Sequence, residues 1–160
     1  WLYEDYVQGT DSGSANLIMP GISFSRSWDS GGSMPSEATR YLIGTEVSDP
    51  AWGSDSSFVR LRSRVGWIGS FSDDQRYLVR VDAGAVLMEA ITELPPSLRF
   101  FAGGDNSIRG YSYESISPVD TEGSLIGARY LASTALEYQY RVSGNCWYCR
   151  NYQSSKFKYL

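Results

Sequence analysis

Residues 57–68 read Ser-Phe-Val-Arg-Leu-Arg-Ser-Arg-Val-Gly-Trp-Ile, an order in which apolar and charged side chains alternate. Successive side chains of a β-strand point to opposite faces, so this order predicts a strand with one apolar and one charged face. The apolar face carries Val59, Leu61, Val65 and Trp67, and the charged face carries Arg60, Arg62 and Arg64. Three arginines on one strand face require water or carboxylates beside them.

The segment Gln75–Leu87 repeats this arrangement. Its apolar side carries Val79, Val81, Ala83, Ala85 and Leu87, and its charged side carries Arg76, Arg80 and Asp82. The segment Leu125–Val142 also alternates and ends in paired tyrosines typical of an interfacial aromatic girdle. Three earlier segments alternate less regularly and are separated by stretches rich in Gly, Ser and Asp. They are Asn16–Trp28, Leu2–Val7 and Arg40–Val47. Pro20 removes a ladder donor from the first of these, so that strand is expected to be bulged or near an edge. The pattern predicts an all-β fold, an antiparallel up-and-down meander of about six strands.

The composition favours a membrane surface over a nucleic acid as partner. The 160 residues carry a net charge of −4 and include 12 Tyr and 5 Trp. No stretch reaches the roughly 18 consecutive apolar residues of a membrane helix. Because the chain begins at Trp1, without an initiator Met or a signal peptide, we expect it to be a piece of a longer protein.

Between the last two predicted strands lies a glycine-framed, aromatic-rich loop with a single motif arginine. Residues 99–111 read Arg-Phe-Phe-Ala-Gly-Gly-Asp-Asn-Ser-Ile-Arg-Gly-Tyr. Its glycines permit tight or positive-φ backbone, so Arg109 can be aimed at one fixed partner. The residues of this predicted latch are Gly103, Gly104, Asp105, Ile108, Arg109, Gly110 and Tyr111.

The loop resembles the sixth extracellular loop of the BamA and TamA superfamily of outer-membrane assembly barrels. The hallmark tetrapeptide of that loop corresponds to Ile108-Arg109-Gly110-Tyr111. Together with Leu136-Glu137-Tyr138-Gln139-Tyr140-Arg141, the stretch 98–111 is similar to the TamA branch in particular. The resemblance extends from about Leu2 to Asn145.

The resemblance implies that residues 1–142 are part of a sixteen-stranded transmembrane β-barrel that is incomplete and not closed. They would be its seventh to twelfth strands, with residues 93–123 as a loop inserted into the lumen. The charged strand faces would then line the lumen. Periplasmic POTRA domains and the remaining strands would lie outside this chain.

The implied function is assembly and insertion of other outer-membrane proteins, including autotransporters, in the outer membrane of a Gram-negative bacterium. The implied partners are outer-membrane lipid, unfolded client proteins and, through the POTRA domains, a TamB-like inner-membrane protein. No cofactor and no nucleic acid are implied. In this family the latch arginine, here Arg109, meets an acidic and an aromatic residue on the thirteenth strand.

The tail, residues 143–160, departs from the family pattern where that thirteenth strand would begin, just after Gly144. It contains no Asp or Glu, so the acidic latch partner is absent from it. A frameshifted or prematurely ended reading frame is favoured over a natural variant tail. Within the chain, Glu137 is the best remaining carboxylate for Arg109.

Two other functional classes stay open on the sequence. A two-partner secretion pore of the same superfamily shares the latch but exports a dedicated substrate. A soluble β-rich module with a fortuitous loop shows the same strand period, because a solvated sheet face and a lumen wall alternate alike. That module would need a layer to cover its apolar face, and no amphipathic helix is visible.

The sequence predicts no enzyme, no metal site and no catalytic residue. It contains no His, no G-x-S-x-G elbow and no phosphate-binding P-loop. Cys146-Trp147-Tyr148-Cys149 has redox-motif spacing, but one such pair is half of a four-thiolate zinc site and lacks a βαβ setting. The pair is interpreted as a local disulfide, since the periplasm is oxidising.

Overall fold

The computed structural model of the chain is an all-β protein. It describes residues 1–8, 11–32, 35–104, 108, 110–143 and 146–158. Its strands are β1 (Leu2–Gln8), β2 (Asp11–Leu17), β3 (Gly21–Asp29), β4 (Ala38–Ser48), β5 (Phe58–Ser72), β6 (Gln75–Leu87), β7 (Tyr130–Ser143) and β8 (Cys146–Lys158). Three short 3-10 helices span Pro50–Trp52, Ile91–Glu93 and Pro96–Leu98. Among the described residues, no helix has the length and apolarity to span a membrane.

The strands form one antiparallel meander and one separate hairpin. Strands β3 to β8 make a six-stranded sheet in chain order, each hydrogen-bonded to the next, and β1 pairs with β2 alone. The sheet is open, with β3 and β8 at its edges. The predicted fold class, an unclosed antiparallel meander, is confirmed.

The sheet has two chemically different faces, fixed by the register of its ladders. Arg60 lies opposite Glu46 of β4, Arg64 lies opposite Asp82 of β6, and Arg76 lies opposite Gln139 of β7. We call this side the polar face. The other side, the apolar face, presents large exposed side chains, among them Ile22, Phe24, Ile43, Leu61, Trp67, Leu136, Tyr138 and Tyr140. An exposed apolar patch of this extent requires a nonpolar environment or a partner.

The core lies on the polar face, at the end of the sheet that bears the long connection 88–129. Phe58 of β5 and Val86 of β6 are buried there against Leu94 and Phe100 of that connection. Leu17 of the β1–β2 hairpin completes the cluster. The hairpin is held beside this end by a hydrogen bond from the Ile18 amide to Ser54 Oγ (2.8 Å). The connection therefore packs on the sheet instead of extending away from it.

Two predicted strands have different bounds in the structure. The predicted segment Asn16–Trp28 is interrupted between β2 and β3, because Pro20 has no N–H to donate to a ladder. The Pro20 carbonyl accepts a hydrogen bond from the Val47 amide of β4 (3.1 Å). The predicted segment Leu125–Val142 begins as a strand only at Tyr130. Before it, Leu125 and Ala128 form bridges with Val119 and Phe100 of the long connection.

The tail is a strand, which the sequence pattern did not predict. Residues 146–158 form β8, which pairs antiparallel with β7 along almost its whole length, from Tyr130–Lys158 to Ser143–Cys146. Aromatic and polar residues are interspersed along β8, and neither face of the strand is continuously apolar. The residues of the tail beyond 158 lie outside the described part of the chain.

Candidate functional site

The long connection is docked onto the polar face through Phe100. Its side chain is only 7% exposed, and its ring lies on Gly84 of β6, where a Cβ atom would overlap the ring. The Arg60 guanidinium carbon lies 5.3 Å from the ring centroid, within range of a cation–π contact. The Phe100 amide donates to the Ala128 carbonyl (3.0 Å), and the Phe100 carbonyl accepts from the Ala128 amide (2.8 Å). The ring thus joins the loop to β5 and β6.

Arg99 ties together the two ends of the docked connection. Its side chain is 3% exposed, with Nε donating to the Leu94 carbonyl and Nη1 donating to the Ile126 carbonyl, both at 2.8 Å. Gly127 has a φ of +78°, and a Cβ there would lie 2.6 Å from the Arg99 Cβ. The fork of one guanidinium therefore satisfies carbonyls from two segments that are distant in sequence.

The described residues of the predicted latch motif belong to a small hairpin beyond this anchor. Ala102 and Ile116 exchange hydrogen bonds of 2.8 and 2.9 Å, and the Gly104 amide donates to the Tyr111 carbonyl (3.0 Å). Gly103 has a φ of +113°, and a Cβ there would overlap the Ser112 carbonyl oxygen. Glycine is thus required at position 103 by both conformation and space.

Of the remaining motif residues, the structure describes Ile108, Gly110 and Tyr111. Asp105, together with 106 and 107, and Arg109 fall outside the described residues. Ile108 is half-buried, Gly110 has a φ of +90°, and Tyr111 is exposed. Glu137 lies on the polar face of β7, opposite Leu78 and Asn151, and accepts a hydrogen bond from Gln139 Nε2. The pairing of Arg109 with Glu137 stays a prediction.

Beside the anchor in the tip hairpin, Glu114 adopts a φ of +51°, which is uncommon for a residue other than glycine. A hydrogen bond from the Tyr113 hydroxyl to Glu114, with the charge of that carboxylate, raises the pKa of Tyr113 above its ordinary value. The phenol is fully exposed, so this contact is a local feature of the loop surface.

The predicted lumen charges form a wall of shared ion pairs on the polar face. Glu46 accepts from Arg60 (2.9 Å) and Arg62 (2.6 Å), and Asp82 pairs with Arg64 and with Arg80 (3.7 Å). Each of the two carboxylates is thus shared by two guanidinium groups. The wall keeps an excess of positive charge on a face that the docked loop covers at one end.

A second arginine cluster lies at the opposite end of the sheet, and sequence reasoning missed it. Trp147 of β8 makes cation–π contacts with Arg76 and Arg141, whose guanidinium carbons lie 4.8 and 5.0 Å from the indole centroid. Arg76 is buried, with Nε donating to Gln139, and Arg141 lies 3.5 Å from Asp74. The sequence shows the alternation of Arg141 with the tyrosines of β7, but it predicts no strand for the tail that contains Trp147, so it does not indicate this cluster.

The predicted disulfide is absent. Cys146 and Cys149 are both thiols in the structure, and both are exposed. They are three residues apart on the extended strand β8, so they lie on opposite faces of it. The expected local disulfide is not formed in this structure. Among the described residues, no group of three or more His, Cys, Asp or Glu side chains is arranged to hold a metal ion.

Comparison with known proteins gives one family. The family model described as "Omp85 superfamily domain" matches residues 3–151, which includes the first part of β8. The outer membrane protein assembly factor BamA of Nitratidesulfovibrio vulgaris is 30% identical over 118 residues, which are 73% of this chain and 15% of that protein. The crystal structure of Haemophilus ducreyi BamA lacking POTRA domains 1–3 superimposes with a TM-score of 0.68 at 17% identity, covering 84% of this chain and 28% of that one. The chain belongs to the Omp85 superfamily.

Proposed function

We propose that this chain is part of an outer-membrane barrel that assembles and inserts other outer-membrane proteins. The observation that carries the proposal is the docking of residues 88–129 onto the charged face of the sheet through Arg99 and Phe100. A loop folded against a wet arginine wall, on a sheet whose other face is apolar and exposed, fits a barrel with a lumen inside and lipid outside. The clients would be unfolded outer-membrane proteins.

We assign the barrel to the TamA branch on the resemblance of the 98–111 loop and the 136–141 strand. This finer assignment implies autotransporter clients and a TamB-like inner-membrane partner that would bind through POTRA domains. Both compared relatives are named BamA, and the chain spans 15% of one and 28% of the other. The branch, the clients and the partner therefore depend on sequence outside this chain.

The proposed role requires no chemical reaction and no cofactor. A client strand is held by main-chain hydrogen bonds when it is added to a sheet edge, as in β-augmentation generally. The docked loop, with its buried Arg99, would position the lumen wall without bond making or breaking. We therefore infer that the chain is not an enzyme.

The latch reading predicts unequal effects of two loop arginines on assembly. In the complete barrel, Arg109→Ala should reduce the amount of folded client in the outer membrane more than Arg129→Ala, because only Arg109 belongs to the glycine-framed motif of residues 103–111. The control residue, Arg129, donates from Nη2 to the Glu89 carbonyl (2.9 Å) at the entry to β7. Client levels would be measured by heat-modifiable mobility after depletion of the wild-type copy. Equal losses would remove the basis for the latch.

Sequencing of the surrounding locus in all three forward frames separates the branches. POTRA domains upstream and four further alternating strands downstream are expected for a TamA-like factor. A different number of POTRA domains, beside a gene for one dedicated exported substrate, would instead indicate a two-partner secretion pore. Flanking frames with neither feature would favour the soluble β-rich module.

A further inference from the structure

The two cysteines of the chain cannot bond to each other while β8 is intact. Cys146 pairs with Ser143 and Cys149 pairs with Gln139 in an antiparallel ladder whose register shifts between Arg141 and Ser143 of β7. Three strand residues span about 10 Å, whereas the Cα atoms of a disulfide are about 4.4–6.8 Å apart and their Cβ atoms face each other. Closing the pair therefore requires residues 146–149 to leave the extended conformation.

The residue that would have to move most is Trp147, which anchors this end of β8. Its indole is held by Arg76 of β6 and Arg141 of β7, so it links three strands on the polar face. Its neighbour Tyr148 lies on the opposite face and is exposed. A turn at residues 146–149 would withdraw the indole from both guanidinium groups and break the ladder from Ser143 to Gln139.

We propose that Cys146 and Cys149 form a redox-sensitive switch in which the local disulfide and the first half of β8 exclude each other. One thiolate attacks a small or protein-borne disulfide, RSSR, and releases one RSH. The second thiolate then attacks the mixed disulfide and releases the second RSH, with both cysteine protons accounted for. Two electrons pass from the cysteine pair to the oxidant, which is reduced to two thiols.

The exclusion acts in both directions. The free energy by which β8 opposes the disulfide equals the free energy by which the disulfide opposes β8. The reduced state has β8 as the sheet edge, and the oxidised state uncovers the outer edge of β7 from Gln139 to Ser143. Exposure to an oxidising compartment depends on the proposed outer-membrane location, but the exclusion itself depends only on the strand geometry.

The test compares oxidation rates of folded and unfolded protein. The protein in its membrane and the same protein in urea are treated with oxidised glutathione, and the remaining thiols are counted by a maleimide gel shift. We expect intramolecular oxidation to be at least about tenfold slower in the folded protein, since β8 must open first. Equal rates in the two states would overturn the proposal, whatever the function of the barrel.

Two matched variants and a protease test separate the switch from simple shielding. Trp147→Ala should accelerate oxidation of the folded protein, whereas Tyr148→Ala, on the opposite face, should leave the rate unchanged. After oxidation, trypsin should cleave behind Arg150, which lies within β8 in the reduced protein. An oxidised protein with the same resistance at Arg150 as the reduced one would overturn the proposal. Cys146→Ser should abolish the change in cleavage.

Discussion

Arg99→Ala is expected to release the long connection from the sheet. The substitution leaves the buried carbonyls of Leu94 and Ile126 without their donor. An unsatisfied buried polar group costs about 1–3 kcal/mol, so we expect a loss of about 2–4 kcal/mol in the local stability of the loop. This is among the largest effects that a single loop substitution can have here, because the guanidinium is 3% exposed and the carbonyls belong to distant segments.

Hydrogen exchange at the loop amides measures this release. The amides of Phe100 and Ala128 are held by their mutual bridge, and the loss should speed their exchange by about 30-fold to 1000-fold. Arg99→Lys should recover only part of the protection, because an ammonium group cannot reproduce the fork geometry. The matched control is Arg129→Ala, which removes an exposed hydrogen bond to Glu89. Equal exchange in the two alanine variants would show that Arg99 is not the anchor.

The two faces of the sheet could be predicted from the sequence because they depend on a period of two. In β5 and β6 every second residue is apolar, and the register places Arg64 beside Asp82 as the alternation implies. No long-range information is needed for that inference. The same local pattern cannot reveal what covers a face, since a lumen wall and a solvated sheet surface have the same period.

The anchor of the loop could not be predicted, because its parts are distant in sequence. The glycines and the motif point to Arg109 in the sequence, whereas the described part of the loop has its buried cation at Arg99, at the base. Its burial depends on carbonyls of residues 94 and 126, which become its neighbours only after the loop folds back. The sequence contains one signal for its burial: Arg99 directly precedes two aromatic residues, and it is buried beside Phe100.

The tail was not predicted to be a strand, because its composition has no regular alternation of apolar and polar residues. An antiparallel edge strand needs main-chain hydrogen bonds with one neighbour and tolerates polar side chains on both faces. Trp147 and the run after it meet that requirement, and β8 pairs with β7 in a ladder interrupted only near Ser143. The presence of a paired strand leaves the predicted frameshift untested, since either origin is compatible with pairing.

Gly84→Ala, a substitution on the polar face of β6, is expected to displace the Phe100 ring and to release the loop from the sheet. A methyl group at position 84 would overlap the ring, which is 7% exposed and cannot simply turn into solvent. Overpacking of this kind costs about 1–3 kcal/mol. The matched control is Gly66→Ala on the same face of β5, where the nearest atom to the new methyl group is the Val79 carbonyl oxygen at 3.9 Å. Exchange at the Phe100 amide should rise in the first variant and stay unchanged in the second.

A double-mutant cycle decides whether the methyl group acts through the ring. Phe100→Ala alone removes the docked side chain and its contact with Arg60, so exchange at Ala128 should rise strongly. If the damage of Gly84→Ala is the clash with the ring, then adding it to Phe100→Ala should cause no further loss, since the clash partner is gone. Additive losses would instead mean that alanine disturbs β6 itself. In that case the weight of the Phe100 contact would be given by the Phe100→Ala variant alone, and Gly84 would matter for the strand and not for the docking of the loop.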